Sequence, residues 1–365
     1  MNLRRDIDQA VARSLEKMVS GASYRSYVAE SSLQLASELA RLASVTEVLL
    51  VSSATAGLEA CLRGAGVEEG SSVAMSAYDY PGNFWAIERA GARPLLIDVA
   101  PDSWSMDAAA LEKAISGGRV QAVVASHLHG QFQSLRQLRE QCDASGVLLI
   151  EDACQSVGNI LCGEVRAAGG GSKLVGHVGL ISFGGGKVLS AGRGGAVLSS
   201  DEALAQKIRI ALGAGSGPYA MSELQAAAVV AQLTWLAKVD AVCGQFMTAF
   251  AFEFKKQLHG FSMPWDVVNP AKSSRNSFYQ AGLICPDATI AAKCLQTLVE
   301  NGCPAGQGFS GFHRRSKRRC DRSGDLANAE STAGRTLVIH HDIAMAATMT
   351  PAELVGLLCR AIQRT

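Results

Sequence analysis

The chain predicts an α/β fold: a mostly parallel, doubly wound sheet in the large part, residues 1–240, and a smaller C-terminal domain in residues 241–365. Three observations predict it. Short apolar runs alternate with amphipathic helical patterns from residue 45 to residue 212, as repeated strand–helix units do. At 365 residues the chain exceeds one typical domain. With 48% apolar and 18% charged residues it has the material for a sizeable core and too little charge for a disordered chain.

Residues 5–43 read as helix interrupted near Gly21, with Val11, Leu15 and Met18, then Leu33, Leu35, Leu39 and Leu42 at helical spacing. VTEVLLVS (45–52) follows as an apolar run of the kind that forms a buried parallel strand, and TAGLEACLRGAG (55–66) as a helix stopped by Gly64 and Gly66. The unit then recurs. Strands are expected at 71–76, 93–99, 120–127 and 147–152, with helices at 83–91, 107–116 and 134–145 between them. LISF (180–183) and GGAVLSS (194–200) flank a glycine-rich turn, and 201–212 resumes the helical pattern. One long helix is expected from Met221 to Leu258, after which Pro264, Pro270 and Pro286 punctuate shorter segments. The basic stretch 311–325 reads as a solvated loop, and PAELVGLLCRAIQ (351–363) as a closing amphipathic helix with Pro351 at its start.

Composition also narrows function. A formal charge of +1 gives no excess to draw the chain onto nucleic acid or anionic lipid. There is no apolar leader at the start and no run of the roughly 20 apolar residues that a membrane span needs, so a cytoplasmic protein is expected. The ten cysteines contain no CxxC pair and read as small buried hydrophobes. No metal site is expected, because the histidine pairs 127/129 and 340/341 lack a ligand-spaced helix.

In an open parallel sheet, ligands collect beyond the carboxyl ends of the strands, and four such ends carry chemistry. Ser52-Ser53-Ala54-Thr55-Ala56-Gly57 enters a helix either as an ordinary cap or as a cradle for phosphate. Asp152, with Glu151, ends an otherwise apolar strand, where a carboxylate calls for a cation, a helix N-terminus or a ribose hydroxyl. Ser182-Phe183-Gly184-Gly185-Gly186-Lys187 is not a Walker loop, since Ile181 and Val188 stand where glycine and Ser or Thr are required. Gly192-Arg193-Gly194 is not a dinucleotide fingerprint either, because Val197 breaks it. What remains is a glycine-flanked lysine, either solvated or placed to meet a carbonyl. Tyr78-Asp79-Tyr80-Pro81-Gly82-Asn83 offers an aromatic ring for stacking, or one that packs on its own domain.

These blocks arrive in a recognisable order. SSATAGLEACLRGAGVEEG, GARPLLIDVAPDSWSMDAAALEKAI, VVASHLHGQ, VLLIEDACQSVG, SFGGGKVLSAGRGGAVLSSD and MSELQAAAVVAQL resemble the successive blocks of the DegT/DnrJ/EryC1/StrS aminotransferase family, from about residue 30 to 240, with a weaker echo in LANAESTAGRTLVIHHDI near the C-terminus. The resemblance implies the fold type I architecture of pyridoxal-phosphate enzymes, with a small C-terminal α+β domain. By position it makes Lys187 the Schiff-base lysine and catalytic base, and Asp152 the partner of the pyridinium nitrogen. Ala54, Thr55 and Ser182 fall where the family grips the phosphate, Tyr80 on the ring-stacking position, and Gln155 near the 3-hydroxyl. A homodimer is implied, moving an amino group from glutamate or glutamine to a keto group on a sugar or cyclitol-like acceptor.

The chain also departs from the family pattern. Pro218 and Ala220 replace an Asn and an Arg, Ala54 replaces a glycine, and Arg193 stands where an acid is common. Arg193 is expected to hold a substrate anion. Dehydration or lyase chemistry on the same scaffold is the alternative within enzymes, although retention of Lys187 argues against the family's dehydratases, which carry histidine there. A non-catalytic, cofactor-binding regulator is the alternative outside them.

Overall fold

The computed structural model describes residues 2–162, 174–213, 217–265 and 278–363. Pro270 lies outside the described residues. The chain opens with helices α1 (Leu3–Ser20) and α2 (Glu30–Ala43), separated by a short 3-10 turn at Ser23–Arg25. The strand–helix units follow as β1 (Glu47–Val51), α3 (Ala54–Gly64), β2 (Ser72–Ser76), α4 (Pro81–Arg89), β3 (Arg93–Ile97), α5 (Ala108–Ser116), β4 (Val120–Ser126), α6 (Arg136–Ser145) and β5 (Leu148–Asp152). Then come α7 (Val157–Leu161), β6 (Val178–Ser182), β7 (Gly195–Ser199) and α8 (Glu202–Leu212). The remaining elements are α9 (Glu223–Leu233), α10 (Leu236–Gln257), β8 (Gln280–Ile284), α11 (Ala288–Glu300), β9 (Ala305–Gln307), β10 (Asp321–Arg322), α12 (Ala327–Arg335), β11 (Thr336–His340), α13 (Asp342–Met345) and α14 (Pro351–Gln363).

Eight strands form one sheet in the order β1-β7-β6-β5-β4-β2-β3-β10. Pairing is parallel from β6 through β10, and β7 runs antiparallel to both β6 and β1. The sheet's central strands are almost fully buried, which is why they read as continuous apolar runs rather than alternating ones. A second, antiparallel sheet, β8-β11-β9, belongs to the C-terminal region.

Three expectations need correction. The run 45–52 is an antiparallel strand at the end of the sheet and not a buried parallel one: β1 pairs with β7, with Glu47 opposite Ser199 and Val51 opposite Gly195, and its last residue also bridges Ala220. An apolar run reports burial and says nothing of its neighbour's direction. The single helix expected over 221–258 is two, α9 and α10, bent by 60°. Gln232 sits at that break, donating from Nε2 to the Ser190 and Ala228 carbonyls and accepting from Ser190 N–H. These bonds tie the end of α9 to the turn after Lys187, so the chain has to swing to pack α10 on α14. Finally, the basic stretch 311–325 is not all solvated loop. Asp321–Arg322 adds to the large sheet parallel to β3, Cys320 is buried, and Arg93 donates to the carbonyls of Lys317, Arg318 and Cys320.

The ten cysteines are free, and seven of them are buried as expected. Among the described residues, no single helix is long and apolar enough to cross a membrane.

Candidate active site

The carboxyl ends of β2, β4, β5 and β6 open onto a cavity of about 390 Å³. Ala54, Thr55, Tyr80, Asp152, Gln155, Ser182, Lys187 and Arg193 all line it. The structure therefore gathers every site residue expected from the sequence.

At one end stands the first turn of α3. Ser53 caps it, its Oγ accepting the N–H of Ala56 at 3.1 Å, so the segment is a helix cap whose first turn also faces the cavity. The first-turn N–H groups of a helix have no intrahelical acceptor and favour an anion. Ser182 Oγ accepts Gly184 N–H at 3.2 Å, which leaves its hydroxyl hydrogen for the same anion. Close packing behind this corner needs glycine. A Cβ on Gly195 would lie 2.7 Å from Ala54 N and 2.8 Å from Ile181 O, and one on Gly82 would lie 2.7 Å from Thr55 Oγ1.

Asp152 ends β5. Its Oδ1 accepts Cys154 N–H at 3.0 Å and its Oδ2 accepts from Asn83 Nδ2 at 2.8 Å. Gln155 accepts His129 N–H at 2.9 Å, which fixes the direction of its carboxamide. Beneath Asp152, the buried Glu151 accepts from His127 Nε2 at 3.0 Å and from the N–H groups of Val175 and Gly176. Burial alone would raise the Glu151 carboxyl, but these hydrogen bonds outweigh it and hold the group below its ordinary value.

Lys187 lies in the connection between β6 and β7. That turn passes through Gly186 at φ +76° and is held from the C-terminal region, where His340 Nε2 meets the Gly186 carbonyl at 2.9 Å. The ammonium sits 4.2 Å from the centre of the Tyr279 ring. Among the described residues no hydrogen bond or ion pair is made by it. Burial lowers its affinity for a proton, opposed by the charges of Cys154 and Asp152. An amine so placed exchanges protons closer to neutrality than a surface lysine does. His340, His341 and Asp342 cluster nearby, and Arg4 fills the place of a cation there, donating from Nε to Asp342 at 3.0 Å.

Tyr80 borders the cavity with its ring half exposed, 5.9 Å from that of Phe309, and Tyr279 and Gln280 enter from β8 and the residue before it. Arg193 is exposed at the rim, and among the described residues its guanidinium makes no hydrogen bond or ion pair. Pro218 and Ala220 bring no polar side chain, yet their segment is firmly docked: Tyr219 O accepts Ser52 N–H at 2.6 Å and Tyr219 OH donates to Glu59 at 3.2 Å. Sequence reasoning passed over Asp79, Asn83 and Ser126, which form one hydrogen-bonded group with Asp152, Asn83 also lining the cavity.

The model of the DegT/DnrJ/EryC1/StrS aminotransferase family matches residues 5–351. The chain belongs to this family. Membership extends the resemblance from the cofactor blocks to nearly the whole chain. A putative pyridoxal phosphate-dependent aminotransferase, EpsN of Bacillus subtilis, is 34% identical over 47% of this chain and 44% of its own length. A GDP-perosamine synthase of Caulobacter vibrioides is 29% identical over 52% of each. The chain thus spans about half the length of these curated relatives. A family aminotransferase from Brucella abortus shares the fold, with a TM-score of 0.83 at 22% identity over 99% of this chain and 97% of that one. The large sheet with its smaller C-terminal region is accordingly the fold of pyridoxal-phosphate-dependent aminotransferases, and pyridoxal 5′-phosphate is the family's cofactor.

The residues fit that group. An anion corner, an acceptor for a ring N–H, a ring for stacking and an unpaired, desolvated amine share one cavity.

Proposed function

We propose that this protein is a pyridoxal-phosphate-dependent aminotransferase that moves an amino group from glutamate or glutamine to a keto group on a sugar or cyclitol-like acceptor, as a cytoplasmic homodimer with a large domain over residues 1–240 and a small one over 241–365. The observation that carries the reading is the unpaired amine of Lys187 in one cavity with the Asp152 carboxylate and the first turn of α3. Similarity to a GDP-perosamine synthase supports a sugar acceptor.

When bound, the cofactor supplies an electron sink for a carbanion beside the transferred nitrogen. The chain's residues do the rest. Ala54, Thr55 and Ser182 bind the phosphate, Tyr80 covers the ring, Gln155 meets the 3-hydroxyl and Asp152 accepts the ring N–H. Lys187 Nζ takes a proton from the substrate carbon and returns it on the acceptor side, a role its lowered proton affinity suits. Arg193 at the rim holds a carboxylate or phosphate of a substrate as a bidentate partner. The homodimer is supported by an open groove beside edge strand β1, where Tyr27, Val28 and Leu33 are exposed next to Tyr219 and Ala220.

The test is a half-reaction. Protein loaded with pyridoxal phosphate and given glutamate or glutamine should convert the cofactor to its amine form, and a keto-sugar or keto-cyclitol should convert it back. A cofactor unchanged by both donors would refute the reading in favour of a non-catalytic binder.

A further inference from the structure

Behind Asp152 lies a second carboxyl that the reaction just described does not use. Asp79 follows β2, is fully buried, and does not line the cavity. Its Oδ1 accepts Tyr80 N–H at 2.7 Å and lies 3.3 Å from Asn83 Nδ2, while Ser126 Oγ is 2.9 Å from its Oδ2. Ser126 Oγ is also 3.4 Å from Asp152 Oδ2, and Asn83 Nδ2 reaches Asp152, Ser126 and Asp79 at once. Two carboxyls from different strand ends therefore share one serine and one asparagine. Among the described residues, no lysine, arginine or histidine pairs with Asp79.

The shared serine and the missing counter-charge bear on where the charge rests. Tyr80 N–H and Cys154 N–H each satisfy one Oδ1, which leaves Asp79 Oδ2 and Asp152 Oδ2 facing each other across the single Ser126 hydrogen, with Asn83 turned toward Asp152. If both carboxyls were ionised, the Ser126 hydrogen would have to choose between them, and Asp79, unlike Asp152 with Lys187 in its cavity, would be a buried anion with no cation paired to it among the described residues. A single proton on Asp79 Oδ2 resolves this: it points to Ser126 Oγ, which frees the serine hydrogen for Asp152 Oδ2. Asp152 then accepts from Asn83, Ser126 and Cys154 N–H, all of them donors, and carries the charge of the pair.

Resting on the function proposed above, we propose that Asp79 is a positioning residue that holds the one proton of the pair and, through Ser126 and Asn83, keeps Asp152 the anion that faces the cofactor ring. Burial first, and then the neighbouring Asp152 charge, push the Asp79 carboxyl up to about 8, against the pull of Tyr80 N–H, Ser126 and Asn83. The other titratable groups turned toward the pair are Tyr78, Cys154 and Lys187. The arrangement gives two carboxyls two roles by environment, with the one in the cavity charged and the one behind it neutral.

Infrared difference spectroscopy on the cofactor-free protein tests this without any turnover. At neutral pH the wild type should show the carbonyl stretch of a buried protonated carboxyl. Asp79→Asn should lose it, Asp152→Asn should not abolish it, and titration above pH 8 should remove it from the wild type. Ser126→Ala should keep the band but weaken pyridoxal phosphate binding by roughly 3- to 10-fold, the scale of one hydrogen bond, with Ser126→Thr restoring it. Absence of the band in the wild type, or its persistence in Asp79→Asn, would overturn the proposal. So would unchanged cofactor affinity in Ser126→Ala. Failure of the half-reaction with glutamate and glutamine, with the band present, would count against the function and not against the pair.

Discussion

Replacing Gly82 by alanine separates the stability of the fold from the grip on the cofactor. Gly82 lies in the first turn of α4, where a Cβ would stand 2.3 Å from Tyr80 Cε1 and 2.7 Å from Thr55 Oγ1. Ordinary contact starts near 3.4 Å, so the Tyr80 ring must retreat by roughly 1 Å. It is free to do so, because Tyr80 is 47% exposed. A displaced rotamer costs about 0.5–1.5 kcal/mol, and alanine in place of glycine in a helix returns up to about 1 kcal/mol. Urea unfolding of the cofactor-free protein should therefore shift by less than about 1 kcal/mol in either direction. The stacking position is lost all the same and the Thr55 hydroxyl is crowded with it; the aromatic contact alone is worth about 0.5–1.5 kcal/mol, which converts to binding weaker by at least roughly 2- to 12-fold. Pyridoxal phosphate titrations followed by absorbance read that number. Wild-type affinity in Gly82→Ala would show that Tyr80 does not cover the ring, and a lowered urea midpoint with unaltered affinity would show that the clash is absorbed by the fold.

The remaining predictions concern charge and connectivity. Borohydride reduction of the loaded protein should fix the cofactor on Lys187, read by peptide mapping; label on another lysine would displace it from the centre of the site. Arg193→Ala should lower kcat/KM for an anionic substrate by about 1–3 kcal/mol, roughly 5- to 150-fold, and leave cofactor affinity intact. Equal kinetics with both substrates would remove Arg193 from the site. Glu151 titrates below its ordinary value in the folded chain, so its contribution to stability is complete above about pH 4.5 and disappears as the pH falls through the folded value. Glu151→Gln should be less stable than wild type at pH 7 and lose less on acidification, and parallel stability–pH curves for the two proteins would contradict this.

Much of the site was legible because its chemistry sits where strands end. Lys187 and Asp152 each stand out against their surroundings, a lysine among glycines and an acid closing VLLIE. The support behind Asp152 was not legible in the same way. Asp79 and Asn83 stood in a run singled out for its tyrosine, but the acid acquires meaning only when β2, β4 and β5 line up side by side and bring Ser126 and Asp152 to it. An acid three residues beyond a strand end, with no basic residue in its turn, was the available signal. The direction of β1 and the place of β10 were hidden for a related reason. Both depend on which strand lies alongside, a property of long-range pairing that local apolar patterning does not encode.

The two residues Asp321 and Arg322 have a consequence for how the protein is made. They cover the outer flank of β3, and an uncovered flank of that kind is a template for another chain. During synthesis the strands from β1 to β7 emerge long before residue 322 does, so the nascent large sheet waits with β3 open while the helices from α8 to α11 are still being added. A chain truncated before residue 320 should therefore self-associate even though its cofactor-facing residues are all present, and a nascent one depends on protection by other means until Asp321 and Arg322 arrive.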